Sequence, residues 1–118
     1  MVTTSAKPSG HLWLKVNSAR LFRDTEVFGK MDPFVTVKHM GQEFKTKVHS
    51  GGGKNPIWNM TFDFRPAGVE TDVELTVWDE DVTSNDFIGS CTVKVSQLIA
   101  GNGVKEWFTL MYKSKQAG

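Results

Sequence analysis

From His11 to Tyr112 the apolar positions recur mainly at every second residue. Leu12, Leu14 and Val16 alternate with His11, Trp13 and Lys15; Val35 and Val37 alternate with Phe34, Thr36 and Lys38; Phe44 and Val48 alternate with Glu43, Lys45 and Lys47. The same period runs through Trp58, Met60, Phe62 and Phe64, through Val73, Leu75 and Val77, and through Cys91, Val93 and Val95. Successive side chains of a strand point to opposite faces, so each segment predicts a strand with one buried face. A seventh strand is expected between about Lys105 and Tyr112. Only Ser96 to Gly101 predicts a helix, of about one turn, with Ser96 as its cap and Gly101 as its stop. Short strands separated by turns, with almost no helix, predict an antiparallel sandwich. Residues 1–10, containing Pro8, Gly10 and four hydroxyl residues, are expected to form a disordered or partly ordered arm. Residues 11–113 then make one domain, and 114–118 a short tail.

The 118 residues suffice for one core, and 14 Lys plus Arg against 13 Asp plus Glu leave a formal charge of +1. No bulk charge excess argues for a nucleic-acid partner. With no long apolar run and no signal-like start, the expectation is a cytoplasmic monomer. Cys91 is the one cysteine, expected as a small buried side chain, and His11, His39 and His49 have no metal-ligand spacing and are expected on the surface. Gly51-Gly52-Gly53-Lys54 is not a phosphate loop, because Val48 stands where a glycine is required and Asn55 where Ser or Thr is required.

The aspartates are unevenly placed. Asp24 and Asp32 bracket the loop after the Leu12 strand, while Asp79, Asp81 and Asp86 fall in the loop after the Val73 strand. Brought together, free carboxylates repel by about 4 kcal/mol per close pair at an effective dielectric near 20, unless a cation intervenes. Asp-x-Asp spacing in an irregular loop suits a hard cation with oxygen ligands. Solvated turn aspartates are the alternative for either loop alone.

Met31-Asp32-Pro33-Phe34-Val35, Lys54-Asn55-Pro56-Ile57-Trp58-Asn59, Val77-Trp78-Asp79-Glu80-Asp81 and Asn85-Asp86-Phe87-Ile88-Gly89, in this order, resemble the signature of a C2 domain. The contexts Arg23-Asp24-Thr25-Glu26 and Gly51 to Pro56 are similar to the small stand-alone C2 proteins of the plant elicitor-responsive type. The resemblance implies an all-β, antiparallel Greek-key sandwich of eight strands with metal loops at one end. It implies a calcium-dependent phospholipid-binding module without catalysis, recruited peripherally to membranes. By motif position the calcium ligands would be Asp24, Asp32, Asp79, Asp81 and Asp86, with the Met31 and Glu80 carbonyls added, and Asp32 and Asp79 would be the central pair. The first loop is longer, and the third shorter, than in many members. Val27 and Phe28 near the first loop's tip would insert into the membrane, with Val82 a lesser candidate; a Phe28 folded back over the core is the alternative.

Period two alone places Lys38, Lys45 and Lys47 on one outward face. In the family this hairpin carries a phosphoinositide site flanked by aromatics, here Phe34 and Trp78; ordinary edge lysines that suppress aggregation are the alternative. Paired carboxylates also suit a hydrolase, but no nucleophile or oxyanion motif accompanies them. A calcium-independent protein-interaction domain is the competing function. The source of the eighth strand stays open: residues 1–9 could supply it, the C-terminal register could be shifted, or the chain could be a fragment.

Overall fold

The computed structural model describes residues 1–6, 10–26 and 29–118. Val27 and Phe28, expected at the membrane, lie outside the described residues. The strands are β1 (Val2–Ala6), β2 (Leu12–Ser18), β3 (Pro33–His39), β4 (Gln42–Lys45), β5 (Ile57–Phe64), β6 (Asp72–Asp79) and β7 (Asp86–Lys94), followed by three two-residue strands, β8 (Lys105–Glu106), β9 (Met111–Tyr112) and β10 (Lys115–Gln116). One sheet has the order β5-β2-β1-β8 and the other β10-β9-β7-β6-β3-β4, with antiparallel pairing throughout. The chain is therefore an all-β sandwich with almost no helix.

The alternating residues meet between the sheets. Leu12, Leu14 and Val16 of β2 face Val35 and Val37 of β3 and Val73, Leu75 and Val77 of β6 in one buried cluster, closed by Ile88 and Leu98. Phe44 stacks on Phe62 at 5.4 Å between ring centres, joining the free edge of one sheet to the other. Each fully buried side chain of this size contributes roughly 1.5–3 kcal/mol of transfer free energy. The β3–β4 connection is a two-residue turn in which Met40 (φ 45°) and Gly41 (φ 86°) both take the left-handed conformation that matches strand twist.

Several expectations are corrected. Residues 2–6 form a strand inside the sandwich instead of an arm, pairing with β2 from Val2↔Val16 to Ala6↔Leu12 and with β8 on the other side. Of the three sources considered for a further strand, the N-terminal residues supply one. Docking is close: a side chain on Gly103 (φ 149°) would strike the Thr4 carbonyl, whose own residue donates N–H to the Val104 carbonyl at 2.8 Å. The C-terminal residues are not a free tail, because β10 pairs with β9 and Ala117 is buried. The expected Lys105–Tyr112 strand breaks into β8 and β9, which belong to different sheets. The helix is α1 (Val95–Leu98), capped at Lys94 rather than Ser96, with Gln97 Oε1 accepting the Lys94 N–H at 3.0 Å. Gly101 (φ 61°) sits in the 3-10 turn Ala100–Asn102 that follows.

His39 is buried, not on the surface. Its Nδ1 lies 2.9 Å from the Asp72 carbonyl and its Nε2 accepts the Ala67 N–H at 3.1 Å, so both ring nitrogens are satisfied by backbone. Cys91 is only half-buried, and burial still pushes its thiol up to about 11. Among the described residues no helix is long and apolar enough to cross a membrane.

Candidate metal centre and basic groove

Residues 19–26 and 29–32 after β2, the segment between β4 and β5 (46–56) and the β6–β7 turn (80–85) meet at one end of the sandwich. Hydrogen bonds tie them together. Asp32 donates N–H to Asp79 Oδ1 at 2.8 Å, its carbonyl accepts the Glu80 N–H at 3.0 Å, and its Oδ1 accepts the Gly51 N–H at 2.7 Å. Trp58 of β5 donates its indole N–H to the Pro33 carbonyl at 2.9 Å, which anchors the second segment beside the first. Asp32 is thus the junction of all three, and it is linked directly to Asp79.

Asp79 is completely buried, and Thr25 donates its hydroxyl to Asp79 Oδ2 at 2.7 Å. A buried carboxylate costs several kcal/mol unless it is paired, roughly the magnitude of a broken buried ion pair. Across the β6–β7 ladder Asp79 stands opposite Asp86, just beyond a register shift between Val77 and Trp78. Asp86 shares a cleft with Asp24, Thr25 and Arg23. Asp24 Oδ1 accepts the Glu26 N–H at 3.0 Å, and Asp81 Oδ1 accepts the Val82 N–H at 2.6 Å.

Glu26 was absent from the expected ligand set, although it stands two residues from Asp24. The neighbouring Asp79 carboxylate, through hydrogen bonding and then charge, followed by burial and the charges of Asp81 and Asp86, pushes the Glu26 carboxyl up to about 7. A proton on Glu26 is what allows the two carboxyls to meet. The folded value lies above the ordinary 4.5, so the metal-free fold holds a proton that the unfolded chain gives up. That contribution to stability is complete below about 4.5 and lost as pH rises through about 7. In chelator, Glu26→Gln is therefore expected to melt with the wild type at the acid end of this window and above it at the alkaline end. Parallel melting curves across the window would refute the coupling.

The donor set, all carboxylate, hydroxyl and carbonyl oxygen, fits a hard cation such as calcium. As placed, however, no three of the His, Cys, Asp and Glu side chains among the described residues are gathered tightly enough to hold an ion. Asp32 and Asp79 are brought together, and Asp24 and Asp86 line one cleft. Asp81 is turned to its own loop backbone, and the Met31 carbonyl already accepts the Gly53 N–H at 3.0 Å.

On the outward face of the β3–β4–β6 sheet, Phe34, Thr36, Lys38, Glu43, Lys45 and Trp78 line a groove with Asn85. Trp78 is oriented by its indole N–H on Thr36 Oγ1 at 3.0 Å, and the Lys45 ammonium lies 4.3 Å from the Phe34 ring centre. Phe34 points outward by alternation yet is only 2% exposed. Glu43 sits 3.9 Å from Lys38 and offsets part of the charge. Lys47 lies two residues past the end of β4 and does not line the groove.

A family model for the C2 domain matches residues 10–110. Synaptotagmin-5 of Arabidopsis thaliana is 36% identical over 104 residues, covering 86% of this chain and 18% of its own length. Elicitor-responsive protein 3 of rice (Oryza sativa subsp. japonica) is 32% identical over 90 residues, covering 75% of this chain and 62% of its own. Both relatives are matched over less than two thirds of their length. A RIM C2 domain from Drosophila superposes with a TM-score of 0.78 at 18% identity, covering 93% of this chain and 96% of that one; at that identity it speaks for the fold.

Proposed function

Because the chain belongs to the C2 domain family, we propose that it is a non-catalytic module that binds anionic phospholipid membranes once calcium has filled its loop end. Asp24, Asp32, Asp79, Asp81 and Asp86 would hold the ion or ions, joined by Glu26 and by the carbonyls of Met31 and Glu80. Bound calcium supplies positive charge and open coordination positions for lipid phosphate oxygens. The observation that carries this reading is the fully buried Asp79 carboxylate, held by the Thr25 hydroxyl and the Asp32 N–H and standing opposite Asp86 across the ladder. Five aspartates put about five negative charges at this end, which repel an anionic surface across roughly one Debye length of about 8 Å. Neutralising them removes that barrier, and Val82, 99% exposed at the third turn, is then free to enter the interface. Val27 and Phe28 are proposed to join it. The Phe34, Lys38, Lys45 and Trp78 groove is proposed as a phosphoinositide headgroup site, with Lys47 at its margin.

Co-sedimentation with phosphatidylserine vesicles tests the switch. At physiological ionic strength, where surface attraction to cationic side chains is screened, the protein is expected in the pellet with calcium and mostly in the supernatant with chelator; equal pelleting in both overturns calcium dependence. The competing reading, a calcium-independent protein-interaction domain, draws on the hydrogen bonds that Asp24, Asp32 and Asp81 already make to backbone N–H groups. Lys38→Ala with Lys45→Ala is expected to weaken binding to phosphoinositide vesicles roughly thirtyfold, at about 1 kcal/mol per lysine at a membrane surface, with calcium affinity unchanged. Undiminished binding removes the groove from the account.

A further inference from the structure

A second cationic surface lies on the other flank of the loop end, on residues that the calcium loops and the β3–β4 face do not use. Residues 20–23 run beside the C-terminal segment, with Phe22 and Arg23 donating N–H to the Ala117 carbonyl at 2.6 and 3.4 Å and Leu110 donating to the Gly118 carbonyl at 2.9 Å. Between them is a groove of about 300 Å³ lined by Phe22, Arg23, Tyr112, Lys115, Gln116 and Ala117. The Arg23 guanidinium lies over the Tyr112 ring, 3.7 Å from its centre, and its Nε–H donates to the Phe87 carbonyl at 3.4 Å. Stacking on one face and anchoring at Nε leave the terminal nitrogens as a preorganised fork, the geometry that takes a phosphate through two donors at once. Lys113 faces the same ring from 5.3 Å, Lys115 is exposed, and Arg20 repeats the arrangement over Trp107 at 4.7 Å. None of the ion pairs found among the described residues involves these four cations. No Asp or Glu side chain lines the groove; Asp24 and Asp86 line the adjoining cleft, and Arg23 borders both. Phe22, 60% exposed, gives the rim an apolar edge.

From this we infer that the groove between Arg23 and Lys115 is a separate binding site for the phosphate headgroup of an anionic membrane lipid. The cations match the phosphate, and the exposed aromatic edge matches the glycerol and first methylenes behind it, which a free phosphate lacks. Because Arg23 also borders Asp24 and Asp86, filling the carboxylate loops with cation frees its charge for the groove, so calcium strengthens the site. That strengthening rests on the proposed calcium reading; the binding in chelator does not.

The test is binding of the full chain, in chelator at low ionic strength, to phosphatidylcholine vesicles carrying phosphatidic acid. Lys115→Glu, at an exposed position, and Arg23→Gln with Lys115→Gln each change the charge by two units and are expected to bind roughly thirtyfold more weakly, while Lys38→Gln with Lys45→Gln retains this binding. Melting temperatures report whether the Arg23 variant still folds, and Lys115→Glu carries the test if it does not. Wild-type binding in both Lys115 variants, or no binding of the wild type in chelator, overturns the site. Soluble glycerophosphate is expected to compete only weakly; full displacement at equal phosphate concentration overturns the membrane source. A calcium response absent from the wild type, with chelator binding intact, defeats the calcium reading and leaves the groove standing.

Discussion

Asp79→Asn combined with Asp81→Asn is expected to abolish the rise in melting temperature that calcium produces in the wild-type protein. A ligand present at 100 times its dissociation constant stabilises the state that binds it by about 2.7 kcal/mol, which for a domain of this size is roughly 10 °C. The double variant removes the buried carboxylate to which Asp32 N–H, the Thr25 hydroxyl and Glu26 all connect, and one of the charges that hold Glu26 up. Folding survives the change, because the amide at position 79 keeps one carbonyl acceptor and the Thr25 hydroxyl can turn to accept from its NH₂ group. In chelator the variant is therefore expected to be no less stable than the wild type near neutral pH, since like-charge crowding is relieved. Thermal scans with and without calcium read both effects. A calcium-dependent rise of wild-type size refutes the assignment of Asp79 and Asp81 as ligands.

Deleting residues 1–9 is expected to remove the soluble fold or lower its melting temperature by more than about 10 °C, given roughly 4 °C or more per kcal/mol at this size. Burying Val2 contributes about 2 kcal/mol. Thr4 is buried and donates its hydroxyl to the Leu98 carbonyl at 2.5 Å while accepting the Val104 N–H at 2.9 Å. Each buried group left without its partner costs about 1–3 kcal/mol. β1 also sits between β2 and β8, so its loss exposes a long apolar strand edge that templates aggregation. A disordered arm would make the deletion neutral, and an unchanged melting curve would restore that view. Thr4→Val keeps the strand and removes only the hydroxyl, and a loss of about 1–3 kcal/mol is expected.

Why β1 escapes a reading of local pattern is visible in its residues. Its two buried positions are Val2 and Thr4, so a single apolar side chain marks the inward face, and Pro8 and Gly10 nearby resemble a linker. His39 is misjudged for a related reason: the groups that make burial tolerable, the Asp72 carbonyl and Ala67 N–H, lie about thirty residues away. Glu26 shows the same limit within the candidate site. It is an ordinary loop acid until the fold sets Asp79, Asp81 and Asp86 around it. Alternation, in contrast, places Lys38, Lys45 and Lys47 on one face, and the resemblance adds Phe34 and Trp78; all but Lys47, which lies beyond the end of β4, share a groove.

Side-chain alternation is a local property: the pleat sends neighbouring residues to opposite faces whatever the rest of the chain does. It was sufficient for the sandwich class, for the existence of strands β2 to β7 and for the outward lysines, but not for every strand end: Val48 lies past β4, Val95 starts the helix, and Asp86, expected in a loop, opens β7; the order of the aspartate motifs pointed to the family. Pairing across the sheets is not local. The seat of β1 between β2 and β8, the break between β8 and β9, the junction at Asp32 and the upward shift of the Glu26 carboxyl all depend on hydrogen bonds and charges between residues distant in sequence. Those interactions exist only once the chain has closed, and they decide which acids lie together and which cations stand free beside them.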